Sequence, residues 1–295
     1  MTMAKRGRLV RWRGSEGFAA ACFLAPAVAG VVLLRLWPTL QAVAGSFRLP
    51  NGDWDLAFEN YRFLFADPVF VAALRTTLLF SVIVNPFQIA LALLLALLLN
   101  NALPGAGVWR TLVLLPVAVP QSVSAIIWGV AYRSDGPLNA VALALGLAPQ
   151  PFLTSTSQAL AAVIVLVSWV GVGYWMTFLI AGLKDIPVSL YEAAAIDGAR
   201  PWQRLVYITL PMLRRPLTFV LVADTVANFL VFAPVQILTK GGPQGSTNLI
   251  MHDIYTRAFL TDDPSGAAAA TVVLVAMVMA VVALQFRLMQ GRAGA

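Results

Sequence analysis

Leu91-Ala92-Leu93-Leu94-Leu95-Ala96-Leu97-Leu98-Leu99 is apolar at every position, so it offers neither the alternation of a half-exposed strand nor the single apolar stripe of a surface helix. It ends a longer stretch, Val71 to Leu99, that is ample for a crossing: a hydrocarbon core of ~30 Å takes roughly 20 mainly apolar residues as helix. Lipid supplies no partner for an unpaired backbone N–H or C=O, which leaves helices and closed barrels as the only spanning structures. The alternating segments of ~10 residues that mark a barrel strand are missing. Working outward, five more stretches have the same character: Phe18 to Leu40, Trp109 to Tyr132, Ala159 to Leu183, Pro216 to Leu238 and Ala267 to Leu288. The expected fold class is therefore an all-α membrane protein with six transmembrane helices.

Composition agrees, with 60% hydrophobic and only 11% charged residues over 295 positions, about half the charged fraction of an ordinary soluble domain. Basic residues near span ends are retained in the cytoplasm, and their placement here is asymmetric. Lys5, Arg6, Arg8, Arg11, Arg13, Arg110, Lys184, Arg200, Arg204, Arg214, Arg215, Arg287 and Arg292 fall at the termini or in the loops after the second and fourth spans, whereas the opposite loops hold five. Both termini are therefore expected in the cytoplasm. The net charge of +7 is then a consequence of topology, and no basic patch interleaved with aromatics points to nucleic acid.

The basic residues 5–13, the apolar run after Phe18 and Ala42-Val43-Ala44 imitate a secretory signal, but the run is longer than a signal core and its removal would leave five spans. It reads as a retained span. Cys22 has no second cysteine to pair with, and His252 is the only histidine, so no metal site is expected. No scattered set of His, Cys and acids makes a nucleophile with its base, so no catalytic residues are assigned.

Between the fourth and fifth spans lies a polar island. Residues 184–215 hold eight charged side chains and cannot lie in hydrocarbon. Pro187 can open a helix through Tyr191, Glu192, Ala193 and Ala194, and Gly198, after Asp197, can take the left-handed conformation that ends it. A second short helix is expected from Pro201, after Ala199 and Arg200, with Leu205, Ile208 and Leu210 at helical spacing and Leu210-Pro211 stopping it.

Glu192-Ala193-Ala194, three residues, Gly198, nine residues, Ile208, one residue and Leu210-Pro211 match the spacing of the EAA motif. The chain thus resembles the permease subunits of binding-protein-dependent ABC importers. A second stretch, Ile237-Leu238-Thr239-Lys240-Gly241-Gly242-Pro243 with Ser246-Thr247 and Ile254 to Phe259, is similar to the loop after the fifth span in maltose and glycerol-3-phosphate permeases. The resemblance covers Phe18 to about Arg287 and implies the type I ABC importer permease fold, a six-span domain over 18–290 between a basic N-terminus, 1–17, and a short tail, 291–295.

The same resemblance implies what the loop does. Tyr191, Glu192, Ala193, Ala194, Asp197, Gly198, Ala199, Arg200, Leu210 and Pro211 would form coupling helices seated on a cytoplasmic ATPase. It further implies a second, non-identical permease, two ATP-binding subunits, a periplasmic or lipid-anchored binding protein and a carbohydrate cargo moved by alternating access. None of Lys5, Lys184 and Lys240 ends a phosphate-cradling glycine loop, so the chain is expected to hold no cofactor of its own, with ATP and Mg bound by the partner ATPases.

Polar residues inside spans are costly in lipid and tend to face a cavity or a partner helix. Asn85, Gln88, Ser122 and Ser168 qualify by that rule, and the residues singled out for substrate are Gln121, Ser124, Trp128, Trp169, Tyr174, Trp175, Asp224, Asn228, Phe229, Phe232 and Gln236. Aromatic faces pack on sugar C–H faces while amides and carboxylates meet hydroxyls. The same residue types also sit at membrane interfaces or join helices, and that reading stays open. Asp224, the one acid deep in a span, leaves a proton-coupled secondary transporter as the alternative, although such carriers show broken half-helices that this sequence does not announce.

Overall fold

The computed structural model describes residues 9–49, 51–54, 58–100 and 105–290, with the backbone alone for 9–16 and 290. Lys5, Arg6, Arg8, Arg292, Asp55 and the 291–295 tail lie outside the described residues. Apart from one isolated antiparallel bridge, Arg48 to Trp54, the described residues form helices and loops.

The first span is α1, Leu9–Val31, continued through a π-turn, Val32–Leu36, into α2, Trp37–Gly45. A short helix, α3 (Glu59–Ala66), precedes α4, Pro68–Asn100, which carries the opening Leu91 to Leu99 run. Asp67 caps α4, its carboxylate accepting the Val69 N–H at 2.9 Å, and Pro68 takes the first helical position, where a missing N–H costs nothing.

α8, Ala159–Lys184, is the central rod: 61% of its most apolar window is buried, against none for the first span. It packs most extensively on α4, and through Trp175, Met176 and Leu179 it joins Ala92, Ala96, Leu213 and Val220 in the largest apolar cluster. Apolar residues all round α8 are thus explained by protein on most sides.

The third span departs from the sequence reading. It is two rods, α5 (Ala106–Leu114, with a 3-10 turn Leu115–Ala118) and α6 (Gln121–Ala131), bent by 102°. Pro116 and Pro120 each remove a backbone donor, and Val119, ahead of a proline, is driven to φ −93°, ψ 125°, outside the helical region. A broken half-helix is therefore present after all. Pro26 and Pro86, in contrast, sit inside α1 and α4 without interrupting them.

After α6 come a short helix, α7 (Pro137–Ala144), and then α8. The 184–215 loop contains α9, Val188–Ile196; α10, Pro201–Arg204; a π-turn, Leu205–Thr209; and α11, Leu210–Met212. Leu210-Pro211 does not stop this second helix. The π-turn shifts the hydrogen-bond register just before Pro211, so the helix continues to Met212 and the break falls at Leu213. α12 (Arg214–Phe229) and α13 (Ala233–Leu238) make the fifth span, α14 (Ile250–Phe259) lies between spans, and α15 (Pro264–Gln290) is the sixth span.

One cation gathers three of the chain's acids. Arg257 on α14 donates to Asp253 at 2.8 Å, to Asp263 at 3.2 Å and to Asp67, tying the start of α4 to α14 and to the start of α15. Burial alone would lower the guanidinium's pKa, but the Asp253 and Asp67 carboxylates outweigh that and hold it above its ordinary value.

Candidate functional site

Two regions hold the residues singled out from sequence. In the first, the 184–215 loop, α9 ends as the sequence predicted. Gly198 sits at φ 74°, its N–H reaches the Ala195 carbonyl at 3.2 Å, and the Ala199 N–H reaches the Ala194 carbonyl at 2.8 Å. That pair is a Schellman turn, and a residue with a Cβ would be strained there although nothing lies within 4 Å of it. The Gln203 side chain then accepts the Arg200 N–H at 2.7 Å, restarting the chain as α10.

Two bonds fix the angle between the helices. The Tyr191 and Thr209 hydroxyls meet at 2.9 Å, and the Arg204 Nε–H donates to the Ala199 carbonyl at 2.9 Å. Glu192, Ala193, Asp197, Gly198, Arg200 and Pro211 are exposed, Ala194, Ala199 and Leu210 half-buried. Ile196 is 87% exposed and Trp202, Val206 and Tyr207 also face outward, so this polar island presents an apolar surface. The loop is braced against the spans at Gly182, where a Cβ would stand 2.6 Å from Pro216 Cγ.

The second region lies among the spans. An apolar groove of about 470 Å³ runs beside the break in the third span, with Trp109, Pro116, Trp128, Ser168 and Trp169 among its walls. Trp128 and Trp169 meet edge to face, ring centres 5.8 Å apart. Gly173 lets α8 approach α5: a Cβ there would be 2.2 Å from the Val113 carbonyl oxygen. Because the break makes Gln121 a new helix start, the first N–H groups of α6 have no acceptor within their helix, and Pro120 supplies no side-chain cap. Gln121 is exposed there, and Ser124, one turn on, has a buried Oγ without a partner among the described residues.

Behind the groove runs a chain of buried amides and hydroxyls. The Gln88 Nε2 donates to Ser168 Oγ at 3.3 Å, the Asn228 Nδ2 donates to Gln88 Oε1 at 3.2 Å and to Asn85 Oδ1 at 2.7 Å, and Asn85 donates to Ser81 and Thr225. Gln285 of α15 donates to the same Thr225 at 2.8 Å. Beside this network the Trp175 indole N–H donates to Asp224 Oδ1 at 2.6 Å, while Asp224 Oδ2 is buried with no partner among the described residues.

The sequence-selected residues thus divide. Trp128 and Trp169 share the groove, and Ser168 joins it to Gln88 and Asn228. Trp175 and Asp224 pair with each other, Tyr174 packing on the Trp175 ring at 4.8 Å. Phe229 is buried among Leu64, Phe70 and Ile250, and Phe232 stacks on Tyr255 at 4.7 Å. Gln236 keeps a buried, unpartnered Oε1. Thr225 and Gln285 were missed, although a glutamine inside an otherwise apolar span is the same signal that found Asn85 and Gln88.

With this arrangement in view, comparison with known proteins is decisive: a family described as binding-protein-dependent transport system inner membrane component matches residues 88–293. The chain belongs to that family. It is thus an inner membrane component of a binding-protein-dependent transport system, of the sugar and glycerol-3-phosphate ABC permease type. This inner membrane component is 35% identical to the lactose transport system permease protein LacF of Rhizobium radiobacter, over 97% of this chain and 98% of that one. It is 32% identical to the sn-glycerol-3-phosphate transport system permease protein UgpA of Brucella abortus, over 91% and 94%. Among solved structures it resembles a chain of a bacterial ABC transporter involved in alginate import, with a TM-score of 0.82 and 22% identity over 96% of this chain and 99% of that one. That likeness gives it the type I importer permease fold.

Proposed function

We propose that this chain is the membrane-spanning, non-catalytic subunit of an ATP-driven importer for a carbohydrate or a related polyol or glycoside. The observation that carries the reading is the 184–215 loop: a rigid, Schellman-capped helix pair that holds the EAA-motif residues outward on an apolar surface. Glu192, Ala193 and Gly198 offer that surface to a separate ATPase, which binds ATP and Mg. Two such ATPases, a second, non-identical permease and a binding protein delivering cargo from outside complete the assembly. Both termini and the loop face the cytoplasm, in keeping with the thirteen basic residues on that side.

For the cargo, the names of the relatives favour small hydroxyl-rich molecules, lactose and sn-glycerol-3-phosphate. The groove walled in part by Trp128 and Trp169 suits a sugar's C–H face, while Ser168, the α6 start at Gln121, and the unpartnered oxygens of Ser124, Asp224 and Gln236 are the polar groups a path for hydroxyls requires. Alternating access then moves α8, the loop and α12 together, because Gly182 against Pro216 and Trp175 against Asp224 leave them little freedom to slide.

The test is uptake against ATP hydrolysis in vesicles holding the whole transporter. Gly198→Val imposes a left-handed β-branched residue at about 1–2 kcal/mol and no clash, so it should lower cargo moved per ATP hydrolysed, while Gly198→Asn should retain most of it. Unchanged uptake per ATP in the valine variant would overturn the coupling role.

A further inference from the structure

We infer that the cavity at the root of the 184–215 loop is a binding site for the headgroup of an anionic phospholipid. The cavity, of about 730 Å³, lies between the ends of α4 and α8 and the helices α9 and α10. That is within the ~300–1,000 Å³ range of ligand sites. Its walls are of two kinds. Leu97, half-buried, and Leu183, buried, come from the last turns of two spans and with Leu205 give the cavity an apolar wall. Lys184 and Arg204 add two positive charges to the same lining, together with the Tyr191 and Thr209 hydroxyls, which meet each other.

The electrostatics favour an anion. No carboxylate lines the cavity, and among the described residues neither Lys184 nor Arg204 has a carboxylate at ion-pairing distance. Among the described residues Arg204 bonds through its Nε–H alone, to the Ala199 carbonyl at 2.9 Å, which positions the guanidinium and turns its terminal donors toward a ligand. A helix end should repel an anion, yet Arg110 caps the Leu99 carbonyl at the end of α4, and Lys184 occupies the last turn of α8. A cationic pocket between span ends, with leucines in its lining, matches a molecule with a phosphate head and apolar chains better than it matches a free ion. A lipid there would fix the loop's height at the membrane surface, since Tyr191 and Arg204 are also the residues that set the angle between α9 and α10. Assigning the cytoplasmic leaflet rests on the proposed orientation of the loop; the binding itself does not.

The experiment uses the full-length chain in nanodiscs of phosphatidylcholine, with or without about one-third phosphatidylglycerol, following unfolding by tryptophan fluorescence and retained lipid by native mass spectrometry. Phosphatidylglycerol should raise the midpoint by about 3 °C and leave one molecule bound. The Lys184→Gln/Arg204→Gln variant should lose both effects, whereas Arg133→Gln, which removes an exposed cation elsewhere, should keep them. Leu97→Trp, which fills the cavity and leaves the charges alone, should also lose the bound lipid and decides the matter if the double variant folds poorly. An equal shift and equal retention in wild type, double variant and Leu97→Trp would overturn the site. So would about 10 mM inorganic phosphate in pure phosphatidylcholine reproducing the whole shift, which would make it a site for a soluble anion. Failure of the coupling test at Gly198 would leave lipid retention untouched, so the two readings fall separately.

Discussion

Replacing Arg257 by methionine isolates the charge of the hub it forms with Asp67, Asp253 and Asp263, because methionine keeps a long apolar stem beside the Phe70 ring, 5.9 Å from the present guanidinium. The Asp253 bond dominates: at 2.8 Å, with side chains only 15% and 5% exposed, it belongs with charged hydrogen bonds of about 1.5–3 kcal/mol. Asp67 and Asp263 are 31% and 37% exposed, and solvent screening limits each to about 0.5 kcal/mol. Losing the cation also leaves three carboxylates facing one another, which brings the total to about 3–4 kcal/mol. At roughly 2–4 °C per kcal/mol the unfolding midpoint should fall by about 10 °C. Lysine at the same position keeps the charge but not the three-way fork, and should recover less than half. Asp253→Asn in the methionine background should return part of the loss by removing the orphaned charge, a non-additivity that a double-mutant cycle reads directly. A methionine variant melting within about 2 °C of wild type would refute the hub as a stabilising element.

Three further outcomes are expected. Gly182→Ala places a Cβ 2.6 Å from Pro216 Cγ, so α12 must give way at a cost of about 1–3 kcal/mol, and a lower melting point with reduced uptake per ATP should follow; an unchanged midpoint would mean that α8 and α12 are free to part there. Trp175→Phe should cost about 1.5–3 kcal/mol by orphaning Asp224, and adding Asp224→Leu should return much of it; strictly additive losses in unfolding midpoints would show that the 2.6 Å bond contributes nothing. Burial holds the His252 imidazole below its ordinary pKa, against the upward pull of Asp253, so the unfolded chain takes up the proton first. Stability from this group is complete above about pH 6.5 and is lost as the pH falls, so His252→Gln should lose less stability than wild type between about pH 7.5 and 5.5, as paired melting curves would reveal.

The spans were legible because a requirement of lipid, one internal bond for every backbone group, is written in residue type alone. The turn at Gly198 was legible for a similar reason, since a positive φ has few tenants. What sequence could not give was anything decided by three-dimensional neighbours. Pro116 and Pro120 look like Pro26 and Pro86, yet only the first pair opens the helix, because two missing donors four residues apart cannot both be bridged. Leu210-Pro211 read as a stop, but the π-turn before it moved the register and carried the helix on. That Asp67, Asp253 and Asp263 share one partner is equally hidden, because Arg257 is distant from Asp67 in the chain. Among the sugar-contact candidates residue type found the polar positions, but only packing separates Trp128, which faces a groove, from Phe229, which fills a core.

The network from Ser168 through Gln88, Asn228, Asn85 and Thr225 to Gln285 links α8, α4, α12 and α15. Hydrocarbon gives no reason for one leucine-rich helix to prefer another, so in this chain the amides act as an address by which spans, once inserted, find their neighbours. Insertion and assembly are thereby set against each other: a leucine at Asn85 would enter the bilayer more readily and then recognise its partners less well.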